Sequence, residues 1–456
     1  MTQPNTQVLD YGAFGVVDPV ALSEHDTATG IMYDFNYGLQ LRTPKDGGNW
    51  HTTIYDSINN DLLYEFDMPP DAYWASDIKY YMPWRVVMKN GDKMFEHHMC
   101  LKDKDVNIMM AHSTLGDCIA YFASIPTFCL RHQCTVNVYV QPWFAMLYGE
   151  AVSTLNSRRF NRTRIVLMVQ DSVEVATSYA TYRLGLIFND EVFKARHWQK
   201  EPYQYHGLQD QAPIILGLGR YKDDSQPGWY HSRILSNIKT RRPVKERYVC
   251  IAYSGSKQCK FWHNPTGWSK VIRFLKDSGY KVFCIDQSFR MGMPGAMQVR
   301  PEGCIDLIGD IPLSDRLQYI QHADCFIGMA SGLSWMAWAT GTPAVVISGF
   351  SRPEMEFDNP FRVYNPEAEC TDCWGDINIP FDRHDWGWCP RVDRQLAVYD
   401  AELANTPTTA ERAMINEQRT QIAAKKFICT QHISAQRVIN AIEDALNWRD
   451  FGDDKA

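Results

Sequence analysis

The chain has 456 residues, too long for one ordinary core, so two or three domains are expected. Hydrophobic residues make up 45% and charged residues 22%, an ordinary globular composition, and a net charge of −7 excludes the basic footprint of a duplex-binding protein. No apolar run reaches the roughly 18 residues needed to span a bilayer, and the first residues lack the basic and apolar regions of a secretory signal. The chain therefore reads as soluble and cytoplasmic, with its 13 cysteines as reduced thiols and metal ligands rather than a disulfide framework.

Residues 1–104 read as a β-rich domain, a small barrel or sandwich. Segments 30–43, 50–68 and 79–101 alternate loosely and are broken by turn residues, with Asn90-Gly91 a hairpin signal. From about 105 the pattern changes. Residues 106–113 form an apolar strand, TLGD a turn, 118–133 an amphipathic helix and 134–141 a second strand. That is a βαβ unit, and hence a parallel sheet with its ligand crevice at the strand ends. Segments 164–170 and 180–188 continue the sheet or its edge, and 196–247 is a connection with helical and hairpin pieces. A second run starts at 247–256. It continues with a helix at 267–280, a strand at 281–286, a helix at 313–323, a strand at 324–330, a helix ending at Gly341 and a strand at 343–349. Two Rossmann-like halves, 105–247 and 248–365, describe an α/β cleft enzyme of the GT-B architecture. Residues 366–456 hold cysteine-bearing loops and return to helix over 409–448.

Four constellations carry chemistry. Cys370, Cys373, Cys389 and Cys429 follow C-x2-C-x15-C-x39-C among loop-forming residues. A thiolate pair two apart is a metal knuckle, and four thiolates complete a tetrahedral site without an open position, which makes it structural. Four unrelated buried thiols are the plainer alternative. Gly116 and Asp117 stand at the turn from strand to helix in the first half. The carboxylate can accept a proton from an acceptor hydroxyl, or simply cap the helix. Ser254, Gly255, Ser256, Lys257 and Lys260 follow the first strand of the second half. They offer hydroxyls, N–H groups and charge to a diphosphate, or form a solvated polar loop. Ser331, Gly332 and Leu333 open a helix whose free N–H groups make an anion site. There is no GxxxxGK[ST] loop, no HExxH and no strand-bound GxGxxG.

Taken in order, LGDCIAYFASIPTF, CKFWHNPTGW, SGLSWMAWATGTPAVVISGFSRPEMEF, ECTDCWGD and WCP resemble the bacterial autotransporter heptosyltransferase family. The resemblance implies a GT-B enzyme that transfers heptose from ADP-heptose to serine hydroxyls of an autotransporter passenger protein. It also implies an appended N-terminal β-domain, a projecting hairpin near 230–248 and a homo-oligomeric ring. Asp117 matches the family's catalytic Asp, and Lys260 its donor-phosphate Lys. Ser331, Gly332 and Leu333 match the nucleotide-holding helix start. The four cysteines match an iron-binding finger, although four thiolates alone suggest zinc at least as strongly. Cys118 departs from the small polar residue expected after the Asp, which puts the acceptor side in question. The alternatives are a GT-B glycosyltransferase with another nucleotide sugar or a different acceptor, and a metal-stabilised scaffold that has lost catalysis.

Overall fold

A computed structural model describes residues 22–110, 114–159, 163–169, 178–185, 195–219, 233–293, 297–365, 370–382 and 384–448. The chain divides into two units. One gathers 1–113, 121–202 and 209–232, and the other 114–120, 203–208 and 233–456.

The first unit carries an eight-stranded mixed sheet. Its order is Ile165–Val169, Thr135–Val140, Asp105–Met109, Ala180–Arg183, Met32–Asn36, Gln40–Arg42 and Tyr73–Ala75, with Glu24–His25 also beside Met32–Asn36. The first five strands run parallel and the later pairings are antiparallel. Strands from the expected N-terminal β-region thus extend the parallel sheet, through the pairs Ala180↔Phe35 and Thr181↔Asn36. Asn36 cements the join, donating to the Ser178 carbonyl at 2.7 Å. The remaining N-terminal strands form a separate antiparallel sheet, ordered Leu62–Met68, Trp50–Asp56, Trp84–Asn90 and Lys93–His98. The expected barrel or sandwich is therefore replaced by strands shared between these two sheets. The hairpin at Asn90-Gly91 forms, with Asn90 paired to Lys93 and Gly91 at φ +55°. Glycine adopts that conformation without a Cβ penalty.

The helix expected over 118–133 is two helices, Leu115–Phe122 and Ile125–His132. Pro126 lies in the first turn of the second. Having no N–H to donate, it starts a helix well and cannot continue one. A long helix, Pro142–Arg159, was not expected.

The second unit is built on a six-stranded, wholly parallel sheet. Its order is Ile305–Asp306, Lys281–Cys284, Tyr248–Ala252, Cys325–Met329, Ala344–Ile347 and Arg362–Val363. Tyr248–Ala252, Cys325–Met329 and Ala344–Ile347 are buried at every residue, as strands covered on both faces must be. Val271, Ile272 and Leu275 of Gly267–Asp277 join Val438, Ile442 and Ala445 of Ala435–Asn447 in the core with Val249, Ile251 and Val345. Each of these Val, Ile and Leu side chains contributes about 1.5–3 kcal/mol when fully buried. Of the hairpin expected near 230–248, residues 230–232 lie outside the described residues. The described remainder holds the short turn Ile234–Asn237 and no strand before Tyr248. Helix begins earlier than expected after the third cysteine, at Pro390–Asn405, before Thr409–Ala423 and Ala435–Asn447. No helix among the described residues is long and apolar enough to cross a membrane.

Candidate active site

The loops at the strand ends of the parallel sheet, together with residues 114–120, bring the expected residues of the second unit together. Helix Gly332–Thr340 follows strand Cys325–Met329, and Ser331 is its extended N-cap residue, φ −145°. The first-turn N–H groups of such a helix have no intrahelical acceptor and carry the positive end of its dipole. This helix start is pressed against Gly116. A Cβ on Gly116 would lie 3.0 Å from Trp335 Cδ1 and 3.4 Å from Gly332 Cα, and one on Gly332 would lie 2.8 Å from Leu115 Cβ. Two glycines thus allow the first turn of helix Leu115–Phe122, which carries Asp117, to touch the start of helix Gly332–Thr340.

Asp117 accepts a 2.7 Å hydrogen bond from Thr114 Oγ1. Burial raises its pKa above the ordinary carboxylate range, opposed by the Thr114 hydrogen bond and the positive charge of Lys260. The carboxylate and the lysine therefore act on one another. A base with a raised pKa is better matched to taking a proton near neutrality. Cys118, next in sequence, is 1% exposed, so its side chain belongs to the interior rather than to an acceptor-facing surface.

Lys260 ends the short turn Gln258–Lys260. Its stem lies against Gly255, where a Cβ would come 3.3 Å from Lys260 Cβ, and its ammonium sits 5.6 Å from the centroid of the Phe350 ring. The neighbouring expected residues are differently employed. Ser254 donates its backbone N–H to Asp286 Oδ2 at 2.8 Å and its hydroxyl to Asp286 Oδ1 at 2.6 Å. Lys257 donates from Nζ to the Asp385 carbonyl at 2.8 Å and lies 5.8 Å from the Phe381 ring centroid. Sequence reasoning missed Asp286, which is 4% exposed and fixes the start of this loop from 32 residues away. Its position directly after the apolar run 282–285 was the available signal. Arg316 secures the same corner, donating to the carbonyls of Ile285, Asp286 and Gly309.

The four cysteines are neighbours in the fold. Cys370 is held low by a hydrogen bond from Cys373, whose own thiol is pushed up by that bond and by burial. Burial raises Cys389 and Cys429, and both also feel the charge of Cys370. Arg391 adds positive charge beside Cys370 and Cys373. Among the described residues, however, no three His, Cys, Asp or Glu side chains stand as a group able to hold an ion. The donor chemistry suits a thiolate-liking metal, but the geometry does not form a preassembled cage.

Residues 155–370 match the family described as Glycosyltransferase family 9 (heptosyltransferase), and residues 28–91 match Glycosyltransferase TibC, N-terminal domain. The chain is 36% identical over 374 residues to autotransporter heptosyltransferase Aah of Escherichia coli, covering 80% of this chain and 88% of that protein. It is 34% identical over 412 residues to autotransporter heptosyltransferase TibC of Escherichia coli O78:H11, covering 88% and 94%. It is also 30% identical over 393 residues to the inactive autotransporter heptosyltransferase BimC of Burkholderia thailandensis, covering 85% and 86%. The crystal structure of dodecameric iron-containing TibC in complex with ADP-D-beta-D-heptose superposes with a TM-score of 0.74 at 29% identity. It covers 94% of this chain and 99% of that one.

Proposed function

The chain belongs to the autotransporter heptosyltransferase family and has a GT-B-like glycosyltransferase fold, and from that premise we propose that it transfers heptose from ADP-heptose to serine hydroxyls of an autotransporter passenger protein. The observation that carries this reading is that Gly116, next to Asp117, packs against the helix start at Gly332, with Lys260 near enough for its charge to act on the Asp117 carboxylate. The serine oxygen attacks the anomeric carbon and its proton passes to Asp117. The bond from that carbon to the β-phosphate oxygen breaks, and ADP leaves with the electron pair. Lys260 and the N–H groups at the start of helix Gly332–Thr340 hold the diphosphate as its charge grows, when such contacts count most. Lys257 and Ser254, occupied as described, support the loop rather than touch the donor.

Cys370, Cys373, Cys389 and Cys429 would hold iron as thiolates, a structural ion that ties loop to helix. The location is cytoplasmic, where ADP-heptose and the unexported acceptor would meet, and the assembly is a homo-oligomer, as TibC is dodecameric. A second reading is a catalytically silent member of the fold, favoured by the 30% identity to the inactive relative.

One experiment separates the two. Purified chain is incubated with ADP-heptose and a passenger segment, and the passenger is weighed by mass spectrometry. Addition of one or more heptose masses, lost in Asp117→Ala, is the expected result. No mass added by wild type, with ADP still bound, would leave the silent reading. Elemental analysis of the same preparation tests the metal: stoichiometric iron in wild type, absent from Cys373→Ser, is expected.

A further inference from the structure

We propose that Gln258 is a positioning residue for Lys260, tying the lysine's turn to the cysteine-bearing segment so that donor affinity depends on that segment. The inference rests on the reading of Lys260 as a ligand of the donor diphosphate.

A lysine is a flexible point charge and binds phosphate well only if its stem is held. Here the holding comes from the cysteine-bearing segment on two sides. On the first, Gln258 is fully buried. Its N–H donates to the Trp386 carbonyl at 3.1 Å. Its Oε1 accepts from Trp386 Nε1 at 3.2 Å and from Met293 N at 3.1 Å. Lys257, one residue before, reaches the Asp385 carbonyl. His263, three residues beyond Lys260, contacts the Gln258 carbonyl at 2.9 Å and stacks on Phe427 at 4.6 Å and 11°. Phe427 stands two residues before Cys429 and Trp386 three before Cys389.

On the second side is Phe350, whose ring lies by the Lys260 ammonium. Its carbonyl accepts from Trp374 N at 2.9 Å, and the Gly349 carbonyl accepts from Asp372 N at 3.0 Å and Thr371 Oγ1 at 2.7 Å. The peptide at Gly349 also touches the other end of the cysteine set, since a Cβ there would lie 2.5 Å from the Cys429 carbonyl oxygen. Lys260 is thus set between two pieces of backbone, each bonded to residues that flank the cysteines. Of these ties, Gln258 Oε1 is the one that accepts from two donors, Trp386 Nε1 and Met293 N. That amide oxygen can be removed without changing chain length.

The test is calorimetric titration of ADP into the purified full chain, with donor KM and kcat measured alongside. The variants are Gln258→Met, Gln258→Glu, Trp386→Phe and Lys260→Ala. Gln258→Met removes the acceptor of two buried hydrogen bonds, and ADP affinity and donor KM should each worsen about tenfold with kcat nearly kept. Trp386→Phe keeps a ring and loses one N–H, and should cost about fivefold. Gln258→Glu keeps the acceptor but buries a carboxylate, so its melting temperature should fall while ADP affinity of the folded protein stays nearer wild type than in Gln258→Met. Adding Trp386→Phe to Gln258→Met should weaken binding little further, because both break one tie. Should Gln258→Met not fold, Trp386→Phe carries the comparison alone. Unchanged ADP affinity in both, with Lys260→Ala still weakened, overturns the coupling and leaves the donor reading standing. A fall in kcat and melting temperature at unchanged KM overturns it too, since that marks general damage. Wild-type ADP affinity in Lys260→Ala overturns the donor reading, and the coupling with it.

Discussion

The two main sheets of this molecule are both founded on parallel strands, yet they do different work. In the second unit every pairing of the six-stranded sheet is parallel, and its successive strand ends lead into Ser254, Ser331 and Gly349. Parallel order places all these loops at one edge, and so gathers the lysine turn, the start of helix Gly332–Thr340 and the cysteine-bearing segment near one another. In the first unit the sheet turns antiparallel after Met32–Asn36, and hairpins send alternate loops to opposite edges. Uniform strand direction therefore concentrates groups into a site. The other sheet is mixed in direction, and Trp84 and Ile54 are buried on the separate antiparallel sheet that forms the body of the same unit.

This contrast predicts that damage to the site and damage to the body are separable. Asp117→Ala should lower transfer by about 10²–10⁴-fold, the usual contribution of a general base, with melting temperature and ADP affinity near wild type. Heptose transfer assayed beside ADP titration checks it, and a variant that loses ADP binding as well would erase the distinction. Trp84→Ala, in the body, should cost about 3–5 kcal/mol of stability in a urea titration, because it empties a filled interior position. The molecules that remain folded should still bind ADP normally. Lys260→Ala should weaken ADP about 10–100-fold, in the range of hydrogen bonds to charged groups, without unfolding. Its remaining binding should depend less on salt.

The same contrast explains what was legible beforehand. Runs such as VCIA, CFIGM and AVVI announce fully covered parallel strands, and the helix end at Gly341 is marked by a residue that tolerates φ +81°. Those runs foretold that Lys260 and the helix start at Gly332 would follow strands Tyr248–Ala252 and Cys325–Met329, as they do. What the chain order hides is employment. Lys257 and Lys260 look alike in sequence, and only the fold sends the first to the Asp385 carbonyl. Ser254 looks like a phosphate ligand until Asp286 takes both its donors. In the first unit, strands 32–36 and 180–183 are separated by nearly 150 residues, and nothing local says that they pair. The helix Pro142–Arg159 did leave a signal. Phe144, Leu147, Tyr148, Ala151, Val152 and Leu155 recur at helical spacing and are all buried.

The finest test lies at Thr114, which is exposed and whose hydroxyl donates to Asp117. Burial raises the Asp117 pKa, so the proposed base should become protonated, and transfer should fail, at a higher pH than for an unperturbed carboxylate. The Thr114 hydrogen bond favours the charged carboxylate and so holds that pKa down. Thr114→Val removes the bond while keeping the shape of the side chain. The carboxylate then protonates more readily, and the acid limb of kcat/KM moves to higher pH while the plateau rate is little changed. A pH–rate profile on the two proteins measures the displacement. A limb that stays in place, or moves to lower pH, would mean that a group other than Asp117 takes the proton. The small residual effect at Thr114 thus distinguishes an acting base from a carboxylate that merely sits in the first turn of its helix.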